Sequence, residues 1–217
     1  MARLAFIGGT GPEGVGLAVR FAKSGHAIYI GSRTEERAAE AVAKIHETVP
    51  ESELYGGPNW DGALKADFVF ITVPAAAHAD ILQELAEAIE DKVVVDCVVP
   101  MIWDKEEGPS AAMPEAGSAA EEAQALLPNA KVISAFHHLD AKQLQRVDTP
   151  MQGDVVVCGD DKSAKRKVLD LVEEINYVRG LDGGALKNSR YTEQLTVLLL
   201  HLNKNYKAHT GIRITGI

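Results

Sequence analysis

Three glycines near the start of the chain have the spacing that lets a polypeptide backbone approach a phosphate group. Gly9, Gly11 and Gly14 follow the apolar run Leu4–Ile7, and a helical pattern begins directly after them. The first glycine permits a sharp turn out of a strand, the second lets the backbone come close to a diphosphate, and the third lets the helix pack against the strand. The helix N-terminus adds free N–H groups and a positive dipole end. The pattern predicts a dinucleotide site, rather than a glycine-rich turn without a ligand, made by Gly9, Thr10, Gly11, Pro12, Glu13 and Gly14.

The residues after the second predicted strand favour NADP over NAD. NAD enzymes usually place Asp or Glu about twenty residues past the glycines, where the carboxylate bonds the ribose 2′-hydroxyl. This chain has Ser32 and Arg33 there, with Arg37 one helical turn later. A hydroxyl and two guanidinium groups would hold a 2′-phosphate, which a carboxylate would repel. The alternative is that both arginines lie in solvent and pair with Glu36 or Glu40.

Another strand end is expected to receive the nicotinamide ring. Thr72, Val73 and Pro74 follow a buried apolar run, and proline cannot continue a strand ladder, so the chain must turn outward there. Backbone groups at that bend become free to bond a ligand. His78 opens the following helix and is a further candidate for contact with the cofactor, although a surface histidine is an equal alternative.

No pair of residues has the arrangement expected of an acid–base catalyst, and we assign no catalytic residue and no metal site. His137 and His138 are adjacent, so in an extended segment at most one of them can contact a substrate. No third ligand has the spacing of a metal site. Cys97 has no evident base and is interpreted as a buried structural thiol. Reduction of a carbonyl or imine needs a proton donor, whereas hydride exchange between two heterocyclic cofactors mainly needs orientation.

The composition favours a cytoplasmic protein that binds small molecules. The 217-residue chain has a formal net charge of -9, which argues against nucleic acid or an anionic membrane as the main partner. Its two cysteines, Cys97 and Cys158, lie beside apolar runs, as expected in a reducing compartment. The first residues enter a strand at once and do not resemble a signal peptide. The longest apolar run, Leu195 to Leu202, is too short to cross a membrane.

Short β-branched runs alternate with helical patterns along the chain, which is typical of a parallel sheet covered on both faces. We predict an α/β fold with a doubly wound, mostly parallel sheet of the Rossmann dinucleotide-binding type. Residues 1–159 would form the NADP-binding domain. Residues 160–217 would form a small C-terminal unit that ends in a long helix, 184–207, and can be continuous with the first. A helix is expected over 75–89, and the stretch 97–118, rich in Pro, Gly and charge, is predicted to be an irregular lid or binding loop.

Eight short motifs occur in an order and at a spacing that together are specific. They are Ile7-Gly8-Gly9-Thr10-Gly11, Gly31-Ser32-Arg33, Thr72-Val73-Pro74, Val98-Val99-Pro100, Ser134-Ala135-Phe136-His137, Cys158-Gly159-Asp160-Asp161, Asn188-Ser189-Arg190 and Gly211-Ile212-Arg213. With these motifs the chain resembles the NADPH-dependent reductases of the deazaflavin coenzyme F420. The match runs in register over nearly the whole chain, and the length also agrees.

The resemblance implies reversible hydride transfer between C4 of NADP(H) and C5 of the deazaflavin. It implies NADP contacts at Thr10–Glu13, Ser32, Arg33, Arg37, Val73, Val99 and Ala141. The deazaflavin would stack over the nicotinamide, between the C-terminal helix and the loop Val99-Pro100-Met101. Further substrate contacts are expected at His137, Asn188, Ser189 and Arg190. Family members are commonly homodimers, with the C-terminal helix near the partner.

The chain departs from the family pattern at a few positions near the expected cofactors. Members often carry a bulky aromatic residue and a histidine after the strand-ending proline, whereas this chain has three alanines before His78. Glu13 stands where an uncharged residue is common. Its negative charge would lie close to a phosphate, which is unfavourable. His138 and Asp140 replace small or apolar residues. Two alternative functions stay open: an NADPH-dependent reductase of a flavin, ferric chelate or small imine, and a non-catalytic NADP-sensing protein.

Overall fold

Eight strands form one sheet and two more form a hairpin in the computed structural model, which describes residues 1–217. The strands are β1 (Arg3–Ile7), β2 (Ala27–Ser32), β3 (Leu54–Pro58), β4 (Phe68–Ile71), β5 (Val93–Asp96), β6 (Met101–Asp104), β7 (Gly108–Ala111), β8 (Lys131–Ser134), β9 (Gly153–Gly159) and β10 (Val178–Asp182). The helices are α1 (Pro12–Lys23), α2 (Glu35–Thr48), α3 (Asn59–Lys65), α4 (His78–Leu85), α5 (Ala119–Leu126), α6 (Ala141–Leu144), α7 (Lys162–Glu173) and α8 (Ser189–Tyr206).

The large sheet has the strand order β10-β9-β8-β5-β4-β1-β2-β3. All neighbouring strands are parallel except β8 and β9. The order reverses at β1, which lies between β2 and β4, and such a reversal opens a crevice at the carboxyl ends of the strands. The predicted doubly wound, mostly parallel α/β fold is confirmed. β10 pairs with β9 and so continues the same sheet beyond residue 160, while the division of the chain at residue 159 stays a prediction.

Both faces of the sheet are covered by apolar side chains, which explains the near-continuous hydrophobic strands. One core cluster joins the sheet to α1, α2 and α7, and a second joins it to α3, α4 and α5. Within the first cluster, the rings of Phe6 and Phe70 stack with their centroids 4.7 Å apart. An aromatic pair of this kind contributes about 0.5–1.5 kcal/mol beyond the burial of its area. The two cores hold the carboxyl ends of the strands, where a ligand binds in such sheets, in fixed positions.

Arg20 fixes the segment around α6 to α1. Its guanidinium is buried and donates hydrogen bonds of 2.7–3.3 Å to the backbone carbonyls of Gln143, Leu144, Arg146, Val147 and Thr149. Burial lowers the pKa of Arg20, while Asp148 acts in the opposite direction. The arginine therefore satisfies carbonyl groups that would otherwise be buried without donors.

The stretch 97–118 is not irregular throughout, because β6 and β7 form an antiparallel hairpin within it. The Asp104 carboxylate accepts hydrogen bonds from the backbone N–H groups of Glu106 and Glu107, and Gly108 adopts a φ of +90°. Such side-chain-to-backbone bonds and a left-handed glycine are typical of tight turns. The prediction of a wholly irregular loop was wrong because these local turn signals were not recognised.

Two predicted helices begin and end differently in the structure. The helix expected over 75–89 starts as a 3-10 turn at Ala75–Ala77, and α4 ends at Leu85. Turns follow as far as Asp91, whose φ is 62°. The C-terminal helix likewise follows a 3-10 turn, at Leu186–Asn188. None of the helices combines the length and the apolar character needed to span a lipid bilayer.

Candidate functional site

The glycines of the first turn have different steric roles. A Cβ on Gly9 would lie 2.7 Å from the Cβ of Phe6, and a Cβ on Gly14 would lie 2.7 Å from the Cα of Gly9. Neither position can hold a side chain unless the backbone moves. A Cβ on Gly11 would meet nothing closer than the Gly8 carbonyl oxygen at 3.8 Å, so the space above it is open. This geometry has the features that a diphosphate-binding turn requires.

The N-terminus of α1 offers backbone donors to an anion. Gly11 is the N-cap residue, Pro12 follows it, and no side chain caps the helix. Because proline has no N–H, the first-turn donors that remain are those of Glu13 and Gly14. These donors and the positive end of the helix dipole favour an anion beside the turn. The residues present therefore fit the diphosphate of a dinucleotide.

Two arginines follow β2 without carboxylate partners. Ser32 ends β2, is buried, and its hydroxyl accepts a hydrogen bond from a backbone N–H two residues later. Arg33 and Arg37 are exposed to solvent, as the alternative expected, but neither forms the ion pair with Glu36 or Glu40 that it also expected. Both guanidinium groups are therefore free to contact a phosphate.

The segment after β4 lies against the glycine turn. Thr72 Oγ1 donates a hydrogen bond of 2.9 Å to the last carbonyl of β1. Gly8 has a φ of +68°, and a Cβ at this position would lie only 2.6 Å from Cγ1 of Val73, so glycine is required there on both grounds. Pro74 then leads into the 3-10 turn. Asn59, which sequence reasoning missed, accepts the Gly8 N–H at 3.2 Å and supports the same turn.

A cleft of about 610 Å³ opens between the glycine turn and α8. Residues from several distant parts of the chain line it, because the strands that precede them end at the same edge of the sheet. The predicted site residues in the cleft are Pro12, Glu13, Met101, His137 and Ala141, and α8 contributes Thr196, Leu199, Leu200 and Lys204 among others. The cleft brings a part of the predicted nucleotide site and a part of the predicted substrate site together.

His137 lines this cleft, and its two ring nitrogens are buried. The residue is 6% exposed, and neither nitrogen makes a hydrogen bond of good geometry, although Asp96 lies near enough to oppose the lowering of the His137 pKa. Burial lowers the pKa of His137 to about 3, so the ring is neutral at physiological pH and has one donor and one acceptor nitrogen. Thr196 of α8 donates a hydrogen bond of 2.8 Å to the His137 carbonyl and fixes its backbone. The neighbouring His138 instead contacts the backbone carbonyl of Asp154 at 2.8 Å through Nε2.

His78 lies inside the fold with both ring nitrogens occupied, so the alternative of a surface histidine is wrong. It is 2% exposed; Nε2 lies 2.7 Å from the carboxylate of Asp96, and Nδ1 lies 2.8 Å from that of Glu122. Burial alone would lower the pKa of His78, but the two carboxylates outweigh it and raise the pKa to about 9. Both ring nitrogens therefore have partners within the protein, and the predicted contact of His78 with NADP stays a prediction.

Asn188, Ser189 and Arg190 have partners within the protein, and none of them lines the cleft. The Asn188 side chain donates to the Gly183 carbonyl at 2.7 Å. The Ser189 hydroxyl is fully buried and bonds the Leu186 carbonyl and the Ser118 hydroxyl. Arg190 pairs with the Glu121 carboxylate at 2.6 Å, which raises the arginine pKa. Their predicted contact with the substrate stays a prediction.

The loop after β5 is tied to α8. Pro100 is buried, and its carbonyl accepts hydrogen bonds from the Ala112 N–H at 3.3 Å and the Gln194 amide at 3.5 Å. Val99 is half-buried. Burial raises the pKa of the Cys97 thiol well above its usual range, in agreement with its interpretation as a structural thiol.

Glu193 is a further buried acid that sequence reasoning missed. It lies in α8, is fully buried, and accepts the first two backbone N–H groups of α5 at 2.9 and 3.2 Å. Burial raises the pKa of Glu193 to about 8, against the lowering effect of those hydrogen bonds. The only signal in the sequence is an isolated acid in an apolar helix, and Asp96 gives the same signal at the end of an apolar strand.

Comparison with known proteins supports the resemblance drawn from the motifs. Residues 3–100 match the family model described as NADP oxidoreductase coenzyme F420-dependent. The chain is 39% identical to the F420-dependent NADP reductase of Methanocaldococcus jannaschii, over 99% of both chains. It is 38% identical to the enzyme of the same name from Methanothermobacter thermautotrophicus, over 99% of this chain and 95% of the relative.

The fold is also that of a solved structure. A protein from Arthrobacter sp. FB24, solved as a candidate F420-dependent NADP reductase, superimposes with a TM-score of 0.85 at 23% identity, and the alignment covers both chains completely. The sequence identity to the two Methanocaldococcus and Methanothermobacter reductases extends over nearly the full length. The predicted family is therefore confirmed, and the chain belongs to the F420-dependent NADP reductases.

Proposed function

We propose that the protein transfers a hydride reversibly between NADP(H) and the deazaflavin coenzyme F420. The observation that carries this function is the cleft that joins the glycine turn to α8 and contains the neutral, unpartnered His137. The names of the two Methanocaldococcus and Methanothermobacter reductases support the same pair of cofactors. Hydride exchange between two ring systems mainly requires that the protein hold both rings in register and exclude water.

On the nucleotide side, backbone and side-chain groups of the protein would bind and orient NADP(H). The open space above Gly11 and the N–H groups of Glu13 and Gly14 would hold the diphosphate. Arg33 and Arg37 would hold the 2′-phosphate, because both are exposed and neither has a carboxylate partner. NADP, when bound, supplies nicotinamide C4 as the hydride donor or acceptor, and F420 supplies C5 of the deazaflavin.

On the acceptor side, α8 and the loop after β5 shape the cleft. Met101, Leu199 and Leu200 give it apolar surface against which a ring can pack. His137 offers the ring nitrogens for a polar contact. Lys204, exposed at the edge of the cleft, supplies positive charge for an anionic part of the coenzyme.

A homodimer built on α8 is part of this proposal. Tyr191, Leu195, Leu198 and Leu202 recur along one face of the helix and are exposed or half-exposed. The neighbouring hairpin adds Trp103, which is 65% exposed. Size-exclusion chromatography with light scattering should give twice the chain mass, and Leu198→Glu should give monomers. Leu64→Glu is the matched control, because Leu64 and Leu198 are both 54% exposed but Leu64 lies on α3.

The proposed location is the cytoplasm, where both buried cysteines would stay reduced. The net charge of -9 argues against nucleic acid as a partner, and only small-molecule cofactors are proposed as ligands. A cell fractionation experiment with the native protein tests the location. If no nucleic acid is bound, treatment with nuclease should leave the elution volume of the protein in size-exclusion chromatography unchanged.

The catalytic proposal is tested with purified protein, NADPH and oxidised F420. Deazaflavin absorbance should fall with NADPH and not with NADH, and the reaction should run in reverse from reduced F420 and NADP. No absorbance change at any pH would refute the function. Turnover of NADPH with free flavin or a ferric chelate instead of F420 would favour the alternative acceptors.

The choice of cofactor is tested at Arg33. Charge-assisted hydrogen bonds contribute about 1.5–3 kcal/mol, so Arg33→Ser should weaken NADPH binding by at least tenfold and leave NADH binding unchanged. Arg166→Ser is the control, because Arg166 is exposed on α7 and pairs with Asp170. Equal losses in both variants would contradict the role of Arg33.

A further inference from the structure

Glu13 carries a carboxyl oxygen for which the protein provides no partner. Oε1 is buried and has no hydrogen-bond partner, although the residue as a whole is half-buried. No lysine, arginine or histidine forms an ion pair with it. An ionised carboxylate is strongly disfavoured in such a place. The side chain must therefore be neutral or must meet a donor that a ligand brings.

The groups around Glu13 favour the neutral form. Burial raises the pKa of Glu13 from 4.5 to about 8, and the negative charge of Asp140 adds to this effect. Asp140, the N-cap residue of α6, and the buried thiol of Cys97, which follows β5, are near enough to Glu13 to interact with it electrostatically. The other titratable groups of the cleft, none of which bonds Glu13, are His137, His138, Lys142, Lys204 and His209.

Glu13 lies beside the predicted ligand site. It is the second residue of α1, beside the N–H groups that fit a diphosphate. It also lines the cleft together with His137, which is nine-tenths buried and equally without partners. Two unsatisfied polar side chains thus lie in one cleft, at the place where the dinucleotide site and α8 meet.

We propose that Glu13 meets the bound dinucleotide as a neutral carboxylic acid that donates a hydrogen bond to it, so that binding of NADP(H) requires one proton on this side chain. This role rests on the proposed function, since the ligand is the dinucleotide of that reaction. An ionised Glu13 would place a negative charge beside the diphosphate, and because Oε1 is buried this repulsion would be screened less than in bulk water. The acid is compatible with the phosphate because it is uncharged.

The test is the affinity for NADPH as a function of pH, measured by isothermal titration calorimetry on the full chain. With a pKa of about 8 for free Glu13, linkage to one proton raises the dissociation constant roughly thirtyfold from about pH 7 to about pH 9.5. The 2′-phosphate titrates near pH ~6 and adds nothing in this range. Titrations in buffers of different ionisation enthalpy should show proton uptake on binding above pH 8.

Two variants distinguish the effect of Glu13 on the pH dependence of NADPH binding from the effect of other acidic residues. Glu13→Gln keeps the shape and a donor but has no titrating proton, so its NADPH affinity should stay flat with pH. Glu47→Gln removes an exposed carboxylate from the last turn of α2 and should keep the wild-type curve. A flat wild-type curve without proton uptake, or a Glu13→Gln curve that rises like the wild type, overturns the role of Glu13. A wild-type protein that binds no NADPH at any pH refutes the proposed function itself.

Discussion

Replacement of Asp96 by asparagine is expected to destabilise the fold and to remove part of its pH dependence. The Asp96 carboxylate is fully buried, accepts the Val98 N–H at 3.0 Å and lies 2.7 Å from Nε2 of His78. Glu122 lies 2.8 Å from the other ring nitrogen. Burial opposes a charge on the ring, but the carboxylates raise the pKa of His78 from 6.5 to about 9. At neutral pH the ring is therefore an imidazolium held between two carboxylates.

The size of the effect follows from that pKa. A rise from 6.5 to about 9 corresponds to about 3 kcal/mol of stability. Because the pKa is higher in the folded than in the unfolded protein, this contribution is fully present below about pH 6.5 and is lost as the pH rises through about 9. Asp96→Asn removes the charge that raises the pKa most and leaves the buried ring with one carboxylate. Breaking a buried ion pair in this way costs about 3–5 kcal/mol.

Urea unfolding followed by circular dichroism, at several pH values from about 6 to about 9.5, measures this loss. The free energy of unfolding of Asp96→Asn should be lower than that of the wild type by about 3 kcal/mol or more at the acidic end, and the difference should shrink towards pH 9. Asp67→Asn is the control, because Asp67 pairs with Arg3 at 3.2 Å in an exposed position, and such pairs contribute about 0–1 kcal/mol. A loss below about 1 kcal/mol for Asp96→Asn, or the wild-type pH dependence retained, would refute the reasoning.

Three further substitutions test other contacts. Gly14→Ala places a Cβ 2.7 Å from the backbone of the turn, so it should cost about 1–3 kcal/mol in urea unfolding and weaken NADPH binding in calorimetry. Arg20→Met leaves several buried carbonyls without donors and should cost on the order of 3 kcal/mol in the same unfolding assay. Burial raises the pKa of Glu193 from 4.5 to about 8, so this residue makes the wild type less stable as the pH rises between those values, and Glu193→Gln should lack that slope.

The glycine turn and the alternation of strands and helices could be predicted because local chemistry determines them. A Cβ at Gly9 or Gly14 would clash with the turn itself, so the glycine pattern in the sequence follows directly from the steric needs of the turn. The cofactor preference likewise depended on one short segment, Ser32 and Arg33 at the end of a strand. A period of two or of 3.6 in apolar residues identifies such elements without any knowledge of long-range contacts.

The buried ion network could not be predicted, since its members come together only in the folded chain. His78, Asp96 and Glu122 are separated by up to 44 residues, and Glu193 lies farther along still. Each looks like an ordinary polar residue in its own segment. The β6–β7 hairpin was not predicted for a different reason. Its turn depends on hydrogen bonds to the side chain of Asp104, which in the sequence is indistinguishable from an ordinary surface charge.

Helix α8 connects this network to the cleft. Glu193 and Thr196 are three residues apart and therefore lie on neighbouring parts of the helix surface. Glu193 accepts the N–H groups at the start of α5, whereas Thr196 donates to the carbonyl of His137. The same helix thus fixes α5, which carries Glu122, and the backbone of the histidine that faces the cleft. A displacement of α8 from α5 would therefore also disturb the hydrogen bond that holds the His137 backbone.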